Sequence, residues 1–303
     1  MKKVCVLLAS YDGQQWIKEQ IDSILAQKNV KVDLFIFDDC SNDNTLKIIK
    51  DISKRKKNVY VKKNKTRLGS PTQNFFSIIK KVSFKKYDYV SLSDQDDIWN
   101  KFKLSRATRN IDTNKLDCYS SDVTILYDNR KTEYLKKSQN KVKMDFLFEG
   151  GGPGSTFVLN KKFAQSLKKN LIKNDKITKK INYHDWYIYF FARVNNYRWH
   201  IDNFSGLKYR QHAQNQLGAN IGLKKRIKRA KYILSGDFLK QLKYFFILNE
   251  NHKKKYKFLF SSNKFSTLHF IIMNFFEFRR KNFEKFICLF ILFIFIFNRR
   301  KLI

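Results

Sequence analysis

Strand-like and helix-like segments alternate along the first 93 residues. The strand-like runs are KVCVLLAS, VDLFIFDD, NVYVKK and YDYVSLS. The segments between them are QQWIKEQIDSILAQ, SNDNTLKIIKDISK and SPTQNFFSIIKKV, each with apolar residues at helical spacing. The first two runs are continuously apolar, which is typical of strands buried on both faces of a sheet. The alternation predicts an α/β fold with a mainly parallel sheet and helices on both faces.

Polar clusters follow three of the four predicted strands. SYDG follows the first strand, DDCSND the second and DQDDIW the fourth. Because ligands of such sheets bind beyond the carboxyl ends of the strands, we expect these clusters to meet at one binding edge. SYDG has a single glycine and so lacks the G-x-G-x-x-G pattern of dinucleotide-binding domains. The sequence has no P-loop signature either.

The DQDDIW cluster places Asp94, Asp96 and Asp97 side by side in a chain with only 26 acidic against 62 basic residues. If the segment is extended, the carboxylates of Asp94 and Asp96 point to the same side. Two carboxylates without a neighbouring histidine or cysteine suit Mg²⁺ or Mn²⁺. Aspartates that cap a turn or the next helix are the alternative. The position at the end of the fourth strand favours the metal site.

The formal net charge of +36 has two interpretations. A basic surface binds polyanions such as nucleic acid or anionic lipid headgroups. A compositional bias toward Lys, Asn, Ile and Phe is the other explanation. The excess is densest from Leu223 to Ile303, where 20 basic residues face 4 acidic ones.

The four cysteines are far apart and include no C-x-x-C pair, which argues against a zinc site or a disulfide framework. This spacing suits a reducing cytosol. The apolar run at the N-terminus, Val4 to Ala9, is short for a signal-peptide core and is better explained as a buried strand.

The C-terminal region contains the apolar segment FICLFILFIFIF at residues 286–297, with RRK on both sides. A helix of this length spans about 18 Å, against about 30 Å for the hydrocarbon core of a bilayer. Shallow insertion into an anionic membrane is one interpretation, and a buried helix or an oligomer contact is the other. The segment LKKRIKRAKYIL has the pattern of an amphipathic helix, either at a membrane surface or packed on the protein.

Six motifs along residues 2–218 carry a family resemblance. They are VLLASYDG, FIFDDCSNDNT, LSDQDDIWNKFKL, GGGPGSTFVLNK, HDWYIYFFA and YRQHAQNQLG. In this order they resemble the family 2 glycosyltransferases, which have the GT-A fold, and most of all the bacterial rhamnosyltransferase-like branch. The resemblance implies inverting transfer of a sugar from a nucleoside-diphosphate donor, dTDP-rhamnose or a UDP-hexose. The implied acceptor is a hydroxyl of a saccharide or lipid-linked saccharide, in cell-surface polysaccharide or lipopolysaccharide synthesis.

The resemblance implies a nucleotide-sugar site at the first two polar clusters. Asp39 would hydrogen-bond the base, with Asp38 supporting the turn, and Ala9 and Tyr11 would line the base and ribose pocket. Asp94 would contact the ribose or the metal. Capping of the helix that starts near Asn42 is an alternative role for Asp38 and Asp39.

The resemblance also implies a divalent cation, Mg²⁺ or Mn²⁺, with Asp96 as its principal ligand and Asp94 beside it. His212 would complete the metal site, although a structural histidine is the alternative. Arg210 would pair with phosphate, for which guanidinium geometry is suited. Gly152, in the glycine run 150–152, would lie in a loop close to the donor sugar, and a plain turn is the alternative.

Asp185, in YHDWYIYFF, matches the carboxylate that acts as general base in the family. His184 stands where the family commonly has a glutamate. The alternative is that Asp185 occupies the first turn of a helix and only favours the helix dipole.

These patterns predict a catalytic domain over 1–222 and a basic, mostly helical region over 223–303. The expected location is cytoplasmic, peripheral to the inner face of the plasma membrane, with no nucleic-acid partner. A non-catalytic protein of the same fold that binds nucleic acid or membrane through basic patches such as SKRKKN and KKRIKR is the alternative function.

Overall fold

The computed structural model describes residues 1–212, 231–250, 256 and 263–298. The strands are β1 (Lys2–Ser10), β2 (Val30–Asp38), β3 (Val59–Lys63), β4 (Tyr89–Ser93), β5 (Ile98–Trp99), β6 (Cys118–Tyr127), β7 (Thr132–Leu135), β8 (Val158–Asn160) and β9 (Trp199–Gln211). The helices are α1 (Ile17–Leu25), α2 (Thr45–Arg55), α3 (Pro71–Lys81), α4 (Lys103–Thr113), α5 (Lys161–Lys173), α6 (Asp175–Thr178), α7 (His184–Val194), α8 (Asp237–Ile247), α9 (Lys264–Asn274) and α10 (Asn282–Asn298).

One mixed sheet organises the chain. Its strand order is β3-β2-β1-β4-β8-β6-β9-β5, and β7 pairs with β6. The neighbours β3, β2, β1 and β4 are parallel, which confirms the four predicted strands. β8 runs antiparallel to β4 and β6, and β9 runs parallel to β6. The parallel half brings the carboxyl ends of β1, β2 and β4 to one edge.

Alternate residues of β1 pack into two separate cores, as the two faces of a strand require. Cys5 and Leu7 join the core formed with α3, α5 and α7. Val4, Val6 and Leu8 join the core formed with α1, α2 and α4. The α/β architecture with helices on both faces of the sheet is therefore confirmed.

The described helices of the C-terminal region share the first of these cores. Phe245 and Phe246 are fully buried there with residues of α7. The ring of Phe238 stacks on Trp186, with centroids 5.3 Å apart. The predicted boundary at residue 222, and most of the predicted helix LKKRIKRAKYIL, lie outside the described residues.

Two arginines of the RRK run 279–281 have a role that the sequence did not indicate. The run was expected to supply positive charge beside the apolar segment, but Arg279 and Arg280 are buried. Arg279 pairs with Glu284, and Arg280 Nη2 lies 3.1 Å from Glu149 Oε2. Of the three residues in the run, only Lys281 is exposed. The two arginines instead join the C-terminal region to Glu149.

All four cysteines are free, in agreement with their spacing in the sequence. Within the described ranges, no helix combines the length and the apolar character that crossing a membrane requires.

Candidate functional site

The loops after β1 and β2 are joined by hydrogen bonds between side chains and main chain. Asp12 N donates to Ser41 Oγ at 3.0 Å, and Asn42 N donates to Asp12 Oδ1 at 2.7 Å. Gly13 N donates to Thr45 Oγ1 at 2.7 Å. Two of the three predicted polar clusters therefore form one continuous surface.

Gln95 attaches the third cluster to the first. Its Oε1 accepts from Tyr11 N and its Nε2 donates to Tyr11 O, both at 2.8 Å. A Cβ atom at Gly13 would lie 2.4 Å from Gln95 Oε1, so the single glycine of SYDG is required for this approach. The three clusters meet at one edge, as predicted, but sequence reasoning had assigned no role to Gln95. Its place between two aspartates was the available signal.

Asp38 is fully buried and supports the turn after β2. It accepts from Ser41 N at 3.0 Å and from Ser41 Oγ at 2.5 Å. The alternative of helix capping is wrong for this residue, because α2 begins at Thr45 and Asp43 Oδ1 accepts from Thr45 N at 2.9 Å.

Asp39 holds the loop 64–69 in place. Its carboxylate accepts from Leu68 N at 2.8 Å, from Gly69 N at 3.0 Å and from Asn64 Nδ2 at 3.0 Å. A carboxylate offers about four acceptor positions, so these three bonds leave room for one further donor. Asp39, like Asp38, does not cap α2.

Arg67 covers the ring of Tyr11, with its guanidinium carbon 4.1 Å from the ring centroid. Asn42 Nδ2 lies 3.4 Å from the Tyr11 hydroxyl. Ala9 is partly buried in the strand just before. Arg67 was not identified from sequence, because nothing in NKTRLG distinguishes it from the many other exposed basic residues.

The carboxylates of the DQDD segment lie in a common electrostatic environment. Burial and the charges of Asp96 and Asp185 raise the pKa of Asp94 to about 8. Burial and the charges of Asp96 and Asp94 hold the pKa of Asp97 well above its usual range. Residues far apart in sequence thus gather negative charge at one place, and a divalent cation would relieve their repulsion.

His212 contacts Asp96, with 2.8 Å between Nε2 and Oδ2. The histidine ring stacks on Trp16 at a centroid distance of 3.9 Å. No preformed cluster of three or more metal-binding side chains occurs within the described part of the chain. Mg²⁺ is commonly held by one or two carboxylates together with substrate phosphates. The carboxylates of the DQDD segment therefore fit a cation whose coordination the substrate completes.

Arg210 lies against the DQDD segment. Its Nε donates to Asp96 O at 3.0 Å, and its Nη2 donates to Glu19 Oε2 at 2.6 Å. Its main-chain N lies 3.4 Å from Asp97 Oδ1. These bonds fix the backbone of the acidic segment, and the contact of Arg210 with phosphate stays a prediction.

Lys103 is a buried cation beneath the same segment. Its Nζ lies 3.5 Å from the centroid of the Trp99 ring and 3.3 Å from Ser91 Oγ. Burial lowers the pKa of this ammonium well below its usual value, while the charge of Asp97 opposes that effect. Sequence reasoning missed Lys103, although a lysine on the apolar face of α4 was a usable signal.

Asp185 occupies the first turn of α7, where its Oδ1 accepts from Trp186 N at 2.8 Å. This placement agrees with the dipole interpretation. The same carboxylate is near enough to the DQDD segment for its charge to raise the pKa of Asp94. Its position therefore suits either role, and the charge coupling favours a place in the site.

His184 packs beside Asp185 with its ring stacked on Phe75 at 4.4 Å. Burial lowers the pKa of His184, which keeps the ring neutral, although the charge of Asp185 opposes the shift. Its Nε2 has no hydrogen-bond partner among the described residues. A Cβ atom at Gly154 would lie 2.7 Å from this nitrogen, so the glycine-rich loop passes directly over it.

The glycine run 150–152 is packed tightly against the core. A Cβ atom at Gly151 would lie 2.7 Å from the Tyr189 ring and 2.8 Å from the Trp199 ring. Gly152 has φ +116°, a conformation that side chains disfavour. The run is therefore an ordered element beside α7, and contact of Gly152 with a donor sugar stays a prediction.

Comparison with known proteins identifies the family. The family model described as Glycosyl transferase family 2 matches residues 5–166. Over 223 residues the chain is 40% identical to dTDP-rhamnosyl transferase RfbG of Shigella flexneri, covering 73% of this chain and 77% of that protein. The chain belongs to glycosyltransferase family 2. The acidic edge is therefore the candidate active site of a glycosyltransferase.

Solved structures support the fold of this glycosyltransferase. Staphylococcus aureus TarS 1–349 in complex with UDP-GlcNAc has a TM-score of 0.54 at 18% identity, covering 81% of this chain and 73% of that one. The mannosyltransferase PcManGT from Pyrobaculum calidifontis, in complex with GDP-Man and Mn²⁺, has a TM-score of 0.54 at 14% identity, covering 87% and 71%. These similarities confirm the GT-A fold.

Replacing Gln95 by Met is expected to weaken donor binding by up to about 30-fold in Kd. The change removes two hydrogen bonds to Tyr11, each worth about 1 kcal/mol, and frees two polar clusters from one another. Isothermal titration with the donor sugar measures the effect. Gln27→Met is the matched control, because Gln27 also bonds main chain, at Leu104 N and Asn100 O, away from Tyr11. Equal affinities for the two variants would show that Gln95 does not organise the site.

Proposed function

We propose that this protein is a metal-dependent, inverting glycosyltransferase of cell-surface polysaccharide synthesis. The observation that supports the proposal is the contact of Asp96 with His212 just beyond β4, beside an Asp94 on which the charges of Asp96 and Asp185 act. The 40% identity to a dTDP-rhamnosyl transferase makes dTDP-rhamnose the first donor to test, followed by UDP-hexoses. The acceptor is a hydroxyl of a saccharide or lipid-linked saccharide.

The nucleoside binds at the loops after β1 and β2. Asp39 has one acceptor position left, which suits the N–H of a pyrimidine base. Tyr11 and Ala9 form the wall of the base and ribose pocket. Asp38 takes no part in binding directly and keeps the turn closed.

Asp96, with Asp94 and His212, would hold a divalent cation, Mg²⁺ or Mn²⁺, which would supply positive charge to a departing diphosphate. Arg210 keeps the backbone of Asp96 in place and lies near enough to the cluster to face a phosphate oxygen. The raised pKa of Asp94 reflects its burial and then the neighbouring charges of Asp96 and Asp185.

Asp185 removes the proton from the acceptor hydroxyl as that oxygen attacks the anomeric carbon. The diphosphate leaves from the opposite side, so the configuration inverts. The bond from Trp186 N fixes the carboxylate, and His184 packs beside it with its Nε2 beneath Gly154. Gly152, without a side chain, admits the donor sugar beside them.

The catalytic unit spans 1–222, and 223–303 forms the basic C-terminal region. We place the reaction at the inner face of the plasma membrane, where a lipid-linked acceptor would be within reach. The apolar segment near the C-terminus and the surrounding positive charge support this placement.

Thermal melting with Mn²⁺ and a panel of dTDP, UDP, GDP and CMP sugars tests the donor site. We expect one nucleotide class to raise Tm only when the metal is present, since a ligand at 100 times its Kd stabilises by about 2.7 kcal/mol. Asp96→Asn is expected to abolish the shift. Asp22→Asn, on the exposed side of α1, is the control and is expected to keep it. The absence of any shift in the native protein would contradict the proposal.

A further inference from the structure

An apolar surface remains exposed on the C-terminal helices. Six large side chains of this surface, each between 56% and 85% exposed, are Phe265, Met273, Phe276, Phe283, Phe286 and Phe290. We call them the aromatic face. Contiguous exposure of this kind is unusual for a soluble surface and indicates an interaction site.

The aromatic face is continuous across two helices. On α10, Phe283, Phe286 and Phe290 follow helical spacing along one side, whereas Cys288 and Leu292 are buried on the other. On and after α9, Phe265, Met273 and Phe276 are exposed as well. The rings of Phe276 and Phe286 lie 6.2 Å apart between centroids, so exposed side chains of the two elements meet there.

The charges around the aromatic face are basic. The two acidic residues of the segment 263–298 are both engaged, since Glu277 Oε2 accepts from Lys143 N at 2.7 Å and Glu284 pairs with Arg279. Lys281 is exposed, and Lys285 Nζ lies 5.6 Å from the Phe276 ring centroid. Such a face complements an anionic surface and would repel a second copy of itself.

We propose that the aromatic face docks on an anionic lipid surface. Phenylalanine rings beside lysines match the boundary between acyl chains and phosphate headgroups, where an amphipathic helix lies in the plane of the membrane. On α10 the exposed rings lie along one side and the buried side chains along the other, as expected of a helix lying in the plane of a membrane.

The two arginines just before α10 bond directly to the glycine-rich loop of the candidate site. Arg279 Nη1 donates to Phe148 O at 2.7 Å, and Arg280 Nη2 donates to Gly150 O at 2.6 Å. Docking therefore holds the acceptor side of the candidate active site at a fixed distance from the lipid. In this one respect the inference rests on the proposed function. The lipid surface itself is recognised by the aromatic face and the lysines beside it.

Co-sedimentation of the full chain with vesicles tests the inference. We expect binding to vesicles of phosphatidylglycerol with phosphatidylcholine and little binding to phosphatidylcholine alone. Phe286→Ser/Phe290→Ser is expected to weaken the partition about tenfold or more, because two rings lose their transfer energy. Ile172→Ser removes an exposed apolar side chain of α5 and is expected to bind as the native protein does.

Two results would overturn the inference. One is equal sedimentation of the double variant and the native protein, and the other is failure of the native protein to bind anionic vesicles. In the second case, light scattering that shows a dimer dissociated by the double variant would assign the face to a second copy of the chain. Melting with donor sugar is measured on the same samples, so failure of lipid docking and failure of the donor site are separate outcomes.

Discussion

Asp185→Asn is expected to lower kcat/KM for sugar transfer by about 10²–10⁴-fold, the usual contribution of a positioned general base. The amide keeps the shape of the side chain and its acceptor oxygen for Trp186 N. It cannot take the proton of the attacking hydroxyl. Donor affinity is expected to change little, because Asp185 lies at the start of α7 and not in the loops that form the nucleoside pocket.

The same substitution has a readout apart from turnover. The charge of Asp185 raises the pKa of Asp94, so its removal is expected to lower that pKa from about 8 in the metal-free protein. Carboxyl chemical shifts followed by NMR against pH measure it. The direction is fixed, since loss of a neighbouring negative charge favours the ionised form of Asp94.

Asp175→Asn is the control for the helix-dipole interpretation of Asp185. Asp175 also lies in the first turn of a helix, α6, but its carboxylate pairs with Lys80 at 2.5 Å. The Asp175→Asn variant is expected to lose some stability and to keep its full transfer activity. If Asp185→Asn behaved in the same way, with turnover unchanged, Asp185 would be a helix-terminal residue and another group would be the base.

Arg280→Met is expected to reduce the free energy of unfolding by about 3–5 kcal/mol, as for other broken buried charge pairs. Arg280 is almost fully buried, bonds Glu149 and Gly150, and lies 3.8 Å from Asp145 Oδ2. Methionine fills much of the space but leaves the two carboxylates with one cation fewer. Urea unfolding measures the loss.

A paired variant separates the charge effect from packing. Adding Glu149→Gln to Arg280→Met is expected to restore part of the lost stability, because it removes a carboxylate that has lost its nearer cation and keeps only Arg279, at 3.7 Å. Arg55→Met, at the exposed end of α2, is expected to change stability by less than about 0.5 kcal/mol. Equal unfolding midpoints for Arg280→Met and Arg55→Met would show that the buried arginine contributes no more than a surface one.

Local patterns predicted the parallel half of the sheet because strand and helix periodicities are properties of neighbouring residues. The polar clusters after β1, β2 and β4 met as expected, since parallel strands end at the same edge. Asp96 and His212, which the family resemblance assigned to one metal site, lie 2.8 Å apart across 116 positions of sequence, and their binding of a metal stays a prediction.

The sequence by itself determined the fold class, the family and the edge of the sheet where the acidic residues gather. Only the tertiary structure decided which polar side chain bonds which backbone group. Gln95 stands between two aspartates, and Arg280 stands within a basic run. Neither set of neighbours indicates the partner in the fold, which is Tyr11 for Gln95 and Gly150 for Arg280. The physical reason is that periodicity is local, whereas burial of a charge or an amide depends on groups brought near by the whole fold.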